Sequence, residues 1–310
     1  MRRTLPSHAL HQTLHQARRF ARAVGGHSTK GTVVAPEIDR PALCAADLGV
    51  KKPGSLRLMT LNLGHGRRHL RHQALAKSPT LEGNLRAVAH AVREVEPDVV
   101  ALQEADGPST WSGNFDHVAR LAELAALPDY YHGEHNVVGV GRFNVRYGTA
   151  LLSRQELKEP VSQRFGANWR DTKGFVVATL AVPEWDGLEI DVASVHLDFL
   201  TRSVRRRQIA SLAEFLADRQ RPLVLSGDLN CCWHFEPESM EQLTESLGLK
   251  AFCPQAHVPT FPSQRPLRRL DWVLVTPELE FSNYHTLATP LSDHRGVVAD
   301  LELAARPHPA

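Results

Sequence analysis

The chain has 310 residues, of which 42% are hydrophobic and 23% charged, and its formal net charge is +2. This length allows one large domain or two small ones, and the composition is that of a globular protein with a sizeable core. No apolar run approaches the roughly 20 residues that a membrane-spanning helix needs, which argues against a helical integral membrane protein.

The charge is unevenly distributed along the chain. Residues 1–53 carry a net charge of +6 and the remainder carries −4. A mildly acidic body argues against a broad DNA-binding face, because such faces neutralise phosphates with lysine and arginine, although it allows a local basic rim.

The four cysteines lack paired zinc spacing, and two of them are adjacent, Cys231 and Cys232. This usage suits a reducing compartment, so we expect a cytoplasmic protein.

Residues 1–54 form the first predicted segment, a basic N-terminal extension. Residues 1–36 contain no Asp or Glu, and several apolar residues would share one helical face: Leu10, Leu14, Ala17 and Ala21. The pattern fits a poorly ordered tail, which is common at termini. It also fits an Arg-rich targeting segment, or a helix that associates peripherally with a membrane surface. Nothing in the sequence indicates the oligomeric state.

Residues 55–305 are predicted to form one α/β domain, since strand and helix patterns alternate without a repeat or low-complexity segment. The predicted elements are strand 55–62, helix 81–95, strand 98–102, helix 115–126, strands 148–152, 174–182 and 189–196, helix 203–218, strand 222–226, helix 237–247, and strands 270–276 and 296–303. In such folds, functional side chains gather at strand ends, because the core holds the stems of the loops rigid.

Polar side chains stand at the ends of these apolar strands: Asn62, Glu104, His196, Asp228, Asn230, Asp271, Asp293 and His294. Carboxylate and amide oxygens are the ligands that Mg²⁺ prefers, and Glu104, Asp293 and Asn62 could supply them. Zinc is less favoured, because the cysteines are unpaired and the histidines lack HExxH spacing. The pattern therefore favours Mg²⁺, or Mn²⁺, assisting the hydrolysis of a phosphoester.

Taken singly, these residues have simpler structural interpretations. Glu104 alone fits a solvated loop acid, and the tetrapeptide Gly227–Asn230 fits a turn. His196 alone fits a buried core histidine. Asp271 could hydrogen-bond His294 and fix its tautomer, as acids do for catalytic imidazoles, or could pair with a neighbouring arginine. The order and position of the whole set are more specific than any one member.

The set occurs within seven short segments: Met59–Asn62, Ala101–Glu104, Gly148–Arg154, Ser194–Leu197, Leu225–Asn230, Arg269–Val273 and Ser292–His294. In these segments and in their order, the chain resembles the endonuclease/exonuclease/phosphatase superfamily, which has the DNase I-like fold. The resemblance extends from Ser55 to Leu303, about four-fifths of the chain. It implies a four-layer α/β/β/α sandwich with the site at one end of the two sheets.

The resemblance also implies roles for the residues. Asn62 and Glu104 would bind the metal, with Asp293 nearby. His196 would contact or protonate the phosphate. Asp228 and Asn230 would align the nucleophile and the scissile group. His294, paired with Asp271, would act in acid–base catalysis.

The segment after His196 bears on the substrate. Members that cut abasic DNA carry a tyrosine and an asparagine there, whereas this chain has Leu197–Phe199. It is closer to DNase I and to the sphingomyelinase-like branch. The predicted function is Mg²⁺-dependent hydrolysis of a small or lipid-linked phosphodiester by direct attack of water. The alternatives are a nuclease acting on DNA or RNA, and a non-catalytic binding protein on the same fold.

Overall fold

The computed structural model describes residues 49–68, 77–140, 143–166 and 173–305. The predicted basic extension, 1–54, lies almost wholly outside these ranges, so its ordered or disordered character stays a prediction. Across the described residues, no helix is both long enough and apolar enough to cross a membrane.

The described residues contain twelve strands and four α-helices. The strands are β1 (Leu56–Asn62), β2 (Val99–Asp106), β3 (Asp129–Val140), β4 (Phe143–Ser153), β5 (Leu157–Arg164), β6 (Gly174–Val182), β7 (Leu188–His196), β8 (Leu223–Asp228), β9 (Lys250–Ala251), β10 (Asp271–Val275), β11 (Leu279–Thr286) and β12 (Val297–Leu303). The helices are α1 (Ser78–Val95), α2 (His117–Ala125), α3 (Arg202–Leu216) and α4 (Pro237–Leu247).

The strands form two six-stranded sheets. The first sheet has the order β11-β12-β1-β2-β4-β3, and the second has the order β5-β6-β7-β8-β10-β9. Each contains one parallel pair, β1 with β2 and β7 with β8, among antiparallel neighbours. Because the strands of a parallel pair run in the same direction, their carboxyl ends lie at the same edge of the sheet.

Three apolar clusters divide the domain into layers. Along β1, Leu58 packs between the two sheets, whereas its neighbour Met59 faces the side covered by α1 and α2. Ile209 and Leu212 of α3 pack on the outer face of the second sheet. Successive strand residues point to opposite faces, so one strand serves two layers. The arrangement is the α/β/β/α sandwich, which confirms the predicted fold class.

The sequence patterns missed β3, β5 and β11, each of which is the outermost strand on one side of its sheet. Edge strands carry polar residues and tolerate proline, because one row of backbone groups needs no partner strand. Accordingly, β5 contains Pro160, and β11 has a register shift between Phe281 and Asn283. Their weak alternation is a property of the edge position.

His135 on β3 is an ionisable side chain placed in the interior. Its side chain is buried, and its Nε2 lies 2.9 Å from the Thr149 hydroxyl. Burial, reinforced by neighbouring histidines and by the charges of Arg164 and Lys173, lowers the pKa of His135 to about 3. The folded protein therefore keeps this imidazole neutral at a pH where the unfolded chain, with an ordinary pKa of about 6.5, binds a proton.

Acidification should destabilise the protein through His135. Between the unfolded pKa and the folded pKa the unfolded state binds more protons, so stability falls as the pH falls from about 6.5 towards 3. At about pH 5 this one residue should account for about 2 kcal/mol. Denaturant unfolding at about pH 7.5 and about pH 5 should show a smaller acid loss in His135→Gln than in wild type. The control, His90→Gln on the exposed face of α1, should behave as wild type; equal losses in all three proteins would contradict the assignment.

Candidate active site

The register of the second sheet brings three predicted site residues together. His196 at the end of β7 is paired with Asp228 at the end of β8. Because β10 runs antiparallel to β8, its first residue, Asp271, is also paired with Asp228. Three segments far apart in sequence thus deliver adjacent side chains to one edge of the sheet.

Asp228 lies at the centre of this group and links both sheets. Its Oδ2 accepts a hydrogen bond from Asn62 Nδ2 at the end of β1, at 2.9 Å. The same oxygen lies 3.4 Å from His196 Nε2 and 3.8 Å from His294 Nε2. Burial opposes its ionisation, but the positive charges of His294 and Lys173 outweigh it and lower the pKa of Asp228 to about 2. The carboxylate is therefore ionised at neutral pH.

Gly227 makes the close approach of β8 to β7 possible. Its φ is 143°, a value that side chains rarely allow. A Cβ at this position would overlap the backbone oxygen of Val195 on β7. The glycine before Asp228 is thus a steric requirement of the site.

Asp271 and His294 form the hydrogen-bonded pair expected from the sequence. His294 Nδ1 lies 2.8 Å from Asp271 Oδ2, and both side chains are buried. The neighbouring Arg269 instead stacks on Trp272 and donates to backbone carbonyls. Burial disfavours the imidazolium, but the charges of Asp271 and Asp228 prevail and raise the pKa of His294 to about 10. His294 therefore holds a proton at neutral pH.

Asn230 follows Asp228 in a left-handed conformation, with φ of 53°. Its backbone N–H donates to Asp228 Oδ1 at 3.1 Å, and its side-chain Nδ2 donates to the Leu197 carbonyl at 3.1 Å. The amide thus ties the segment after β8 to the segment after β7. The side chains at the ends of both strands are held in place by this bond.

Glu104 leaves the regular strand at a β-bulge. The β2–β4 register shifts between Leu102 and Ala105, and Glu104 has a φ of 47°. Its carboxylate lies 3.4 Å from His65 Nε2 and 3.5 Å from Lys173 Nζ. Burial raises the pKa of Glu104, but the surrounding positive charges outweigh it and hold this pKa well below the usual range.

Asp293 reaches the same region from the loop before β12. Arg67 Nη2 donates to its Oδ2 at 2.8 Å, and a Cβ on Gly64 would lie only 2.8 Å from its Oδ1. The Gly64 N–H in turn donates to Asn62 Oδ1 at 3.0 Å. The turn after β1 therefore packs between Asn62 and Asp293, and Glu104 contacts the same turn through His65.

Four further residues of the site were missed in the sequence: His65, Arg67, Asp106 and Lys173. His65 Nδ1 lies 2.8 Å from Asp106 Oδ1, so this acid orients the imidazole that faces Glu104. Burial lowers the pKa of His65, but the charges of Asp106 and Glu104 raise it by more than burial lowers it. The net shift of the pKa is therefore upward. The sequence did contain a signal, since Asp106 alternates with Glu104 in one strand and His65 lies in a glycine-rich turn after Asn62.

The donor chemistry fits a divalent cation. Asn62, Glu104 and Asp293 offer the hard oxygen ligands that Mg²⁺ or Mn²⁺ prefers. Among the described residues, Asp106 Oδ2 is buried and has no hydrogen-bond partner, and the same carboxylate contacts His65 beside Glu104, so the site has unused capacity for positive charge. A second possible ligand group is made by Asp228, Asp271 and His294, whose ligand atoms lie within 4.8 Å of one another.

The two packed sheets with flanking helices form the DNase I-like fold. The model of the Endonuclease/Exonuclease/phosphatase family matches residues 59–294. The chain therefore belongs to this family, whose members are metal-dependent phosphoesterases. A comparison with curated proteins gives no match.

Solved structures of diverse members share the fold. An endonuclease/exonuclease/phosphatase from Beutenbergia cavernae is 23% identical, with a TM-score of 0.63 over 83% of this chain and 73% of that one. A mannosyl-6-phosphatase from Bacteroides thetaiotaomicron is 16% identical, with a TM-score of 0.59 over 80% and 99%. TDP2 from D. rerio, complexed with a single-strand DNA product, is 15% identical, with a TM-score of 0.58 over 80% and 99%. At these identities the likeness shows the fold alone.

Proposed function

We propose that the protein is a Mg²⁺-dependent phosphodiester hydrolase that acts by in-line attack of water on a small or lipid-linked substrate. The observation that supports this most is the position of Asp228. An ionised, buried carboxylate is surrounded by an amide from the first sheet and by two imidazoles. This arrangement holds an acceptor and a proton donor at one point, which hydrolysis requires.

The residues divide the chemistry between them. A divalent cation held by Asn62, Glu104 and Asp293 would offset the charge that develops on the phosphate oxygens. Asp228, ionised at neutral pH, would orient the attacking water and accept the proton that the water loses on attack. His294, kept protonated by Asp271, would donate a proton to the departing alkoxide. The Asp271–His294 hydrogen bond holds the ring with its Nε2 3.8 Å from Asp228 Oδ2.

The proposed substrate class rests on charge and on the segment after His196. Outside residues 1–53 the net charge is −4, which does not suit a long polyanion. Phe199 and Leu200 follow His196 and are 39% and 53% exposed. Phe235, 56% exposed, lies on the neighbouring loop. Arg205 connects the two loops, because it pairs with Glu236 and donates to the Asp198 carbonyl at 2.8 Å. An apolar rim beside the site favours a leaving group with apolar parts.

Removal of the metal or of Glu104 should abolish turnover. On bis-(p-nitrophenyl) phosphate, the wild-type protein should be active with Mg²⁺ or Mn²⁺ and inactive with EDTA. Glu104→Gln should lower kcat/KM at least ~100-fold, because a metal ligand and its charge are lost. The control, Glu94→Gln on the exposed side of α1, should match wild type. Folded wild-type protein without metal-dependent turnover on any phosphoester would refute the proposal.

The substrate class should appear in a comparison of vesicles with nucleic acids. We expect turnover of sphingomyelin or phosphoinositide vesicles, and Leu200→Ser should reduce it several-fold while leaving bis-(p-nitrophenyl) phosphate unaffected. The control is Leu188→Ser, because Leu188 is 38% exposed at the opposite end of β7. Faster hydrolysis of oligonucleotides, with a steep decline as salt is added, would instead identify a nuclease.

A further inference from the structure

Lys173 is a buried cation of the site that lies beside a strand bearing none of the predicted site residues. It directly precedes Gly174, the first residue of β6, which is paired with His196 across the β6–β7 ladder. Its Nζ lies 2.7 Å from His196 Nε2 and 3.5 Å from Glu104 Oε1. The register of the sheet thus places an ammonium group between His196, which we expect to contact the phosphate, and Glu104, which we expect to bind the metal.

The ammonium has little compensation for its burial. Lys173 is only 7% exposed, and burying a charge is strongly unfavourable unless it is closely paired. Within the described residues its ion pair is with Glu104, at 3.5 Å, and its short contact is with the imidazole of His196, which carries no negative charge. Lys173 therefore retains capacity for another anion.

Other lysines of this protein form closer ion pairs with carboxylates than Lys173 does. Lys51 lies 2.6 Å from Asp98 and Lys158 lies 2.9 Å from Glu189, and both lysines are more exposed than Lys173. Lys173 is the most buried of the three and has the longest carboxylate distance. The position of Lys173 therefore favours interaction with a bound ligand over a permanent ion pair within the folded protein.

Glu104 would neutralise less of the charge of Lys173 if it also bound a metal ion. The carboxylate belongs to the oxygen donors proposed to hold the divalent cation, so its charge would be shared with that ion. Lys173 would then need a new counter-charge in the same space. The phosphoryl group of a substrate brings negative oxygens to that place.

We propose that Lys173 is a substrate-binding residue, whose ammonium donates a hydrogen bond to a non-bridging phosphoryl oxygen beside His196. This inference rests on the proposed function, because it concerns a phosphoester in the same site. It adds β6 to the strands that hold the substrate. It also makes the residue before Gly174 a determinant of affinity for the phosphoryl group.

The test is the binding of inorganic phosphate to full-length protein at saturating Mg²⁺, measured by calorimetry. Lys173→Met keeps most of the side-chain volume and removes the charge, and it should weaken phosphate binding at least tenfold. Lys173→Arg should retain most of the affinity. The control is Lys158→Met, the loss of an exposed lysine on β5 of the same sheet, which should bind phosphate as wild type does.

Two results would overturn the proposal. One is wild-type phosphate affinity in Lys173→Met with only a lowered melting temperature, which would make Lys173 a structural counter-ion of Glu104. The other is an absence of phosphate binding by the wild-type protein. If Lys173→Met does not fold, a crystal structure of wild type with vanadate decides: an oxyanion within about 3.2 Å of Lys173 Nζ supports the proposal, and an oxyanion elsewhere overturns it.

This binding test separates the inference from the proposed function. Phosphate binding requires no turnover, so Lys173-dependent binding in a protein without phosphodiesterase activity would refute the function and leave the inference standing. Conversely, an active enzyme whose phosphate affinity is unchanged in Lys173→Met would refute the inference and leave the proposed function standing.

Discussion

The structure depends on one buried carboxylate that both sheets share. Asp228 is 2% exposed, and a charge in that position is tolerated only when it is paired and hydrogen-bonded. Its partners come from different places in the fold: Asn62 from the first sheet, His196 from the same sheet as Asp228, and His294 from the loop before β12. The charge is thus compensated when the two sheets pack in this register.

Three of the described residues with left-handed backbone conformations lie at the same edge of the sheets. Glu104, His65 and Asn230 all have positive φ values, at 47°, 57° and 53°. Each is held there by local contacts, the bulge of β2 for Glu104, Asp106 for His65, and the Leu197 carbonyl for Asn230. Residues in sparsely populated conformations are stabilised by surrounding structure and are common at functional sites.

The central strands could be predicted from the sequence, and with them the eight polar residues proposed for the site, because apolar strands that end in polar residues are a local signal. The structure brings these residues to one edge, while their individual roles stay predictions. Edge strands such as β3 escaped detection because their polar residues blur the alternation. Lys173 and Arg67 escaped because their proximity to the site depends on register and on loop packing. The sequence around a lysine or an arginine in a loop does not show whether its side chain is solvated or buried in a site.

The most direct measurement is anomalous diffraction from crystals soaked in Mn²⁺. A peak bounded by Asn62, Glu104 and Asp293 is predicted, since those oxygens are the hard donors at the meeting point of the two sheets. A peak held by Asp228, Asp271 and His294 alone, or no peak at this edge of the sheets, would contradict the account.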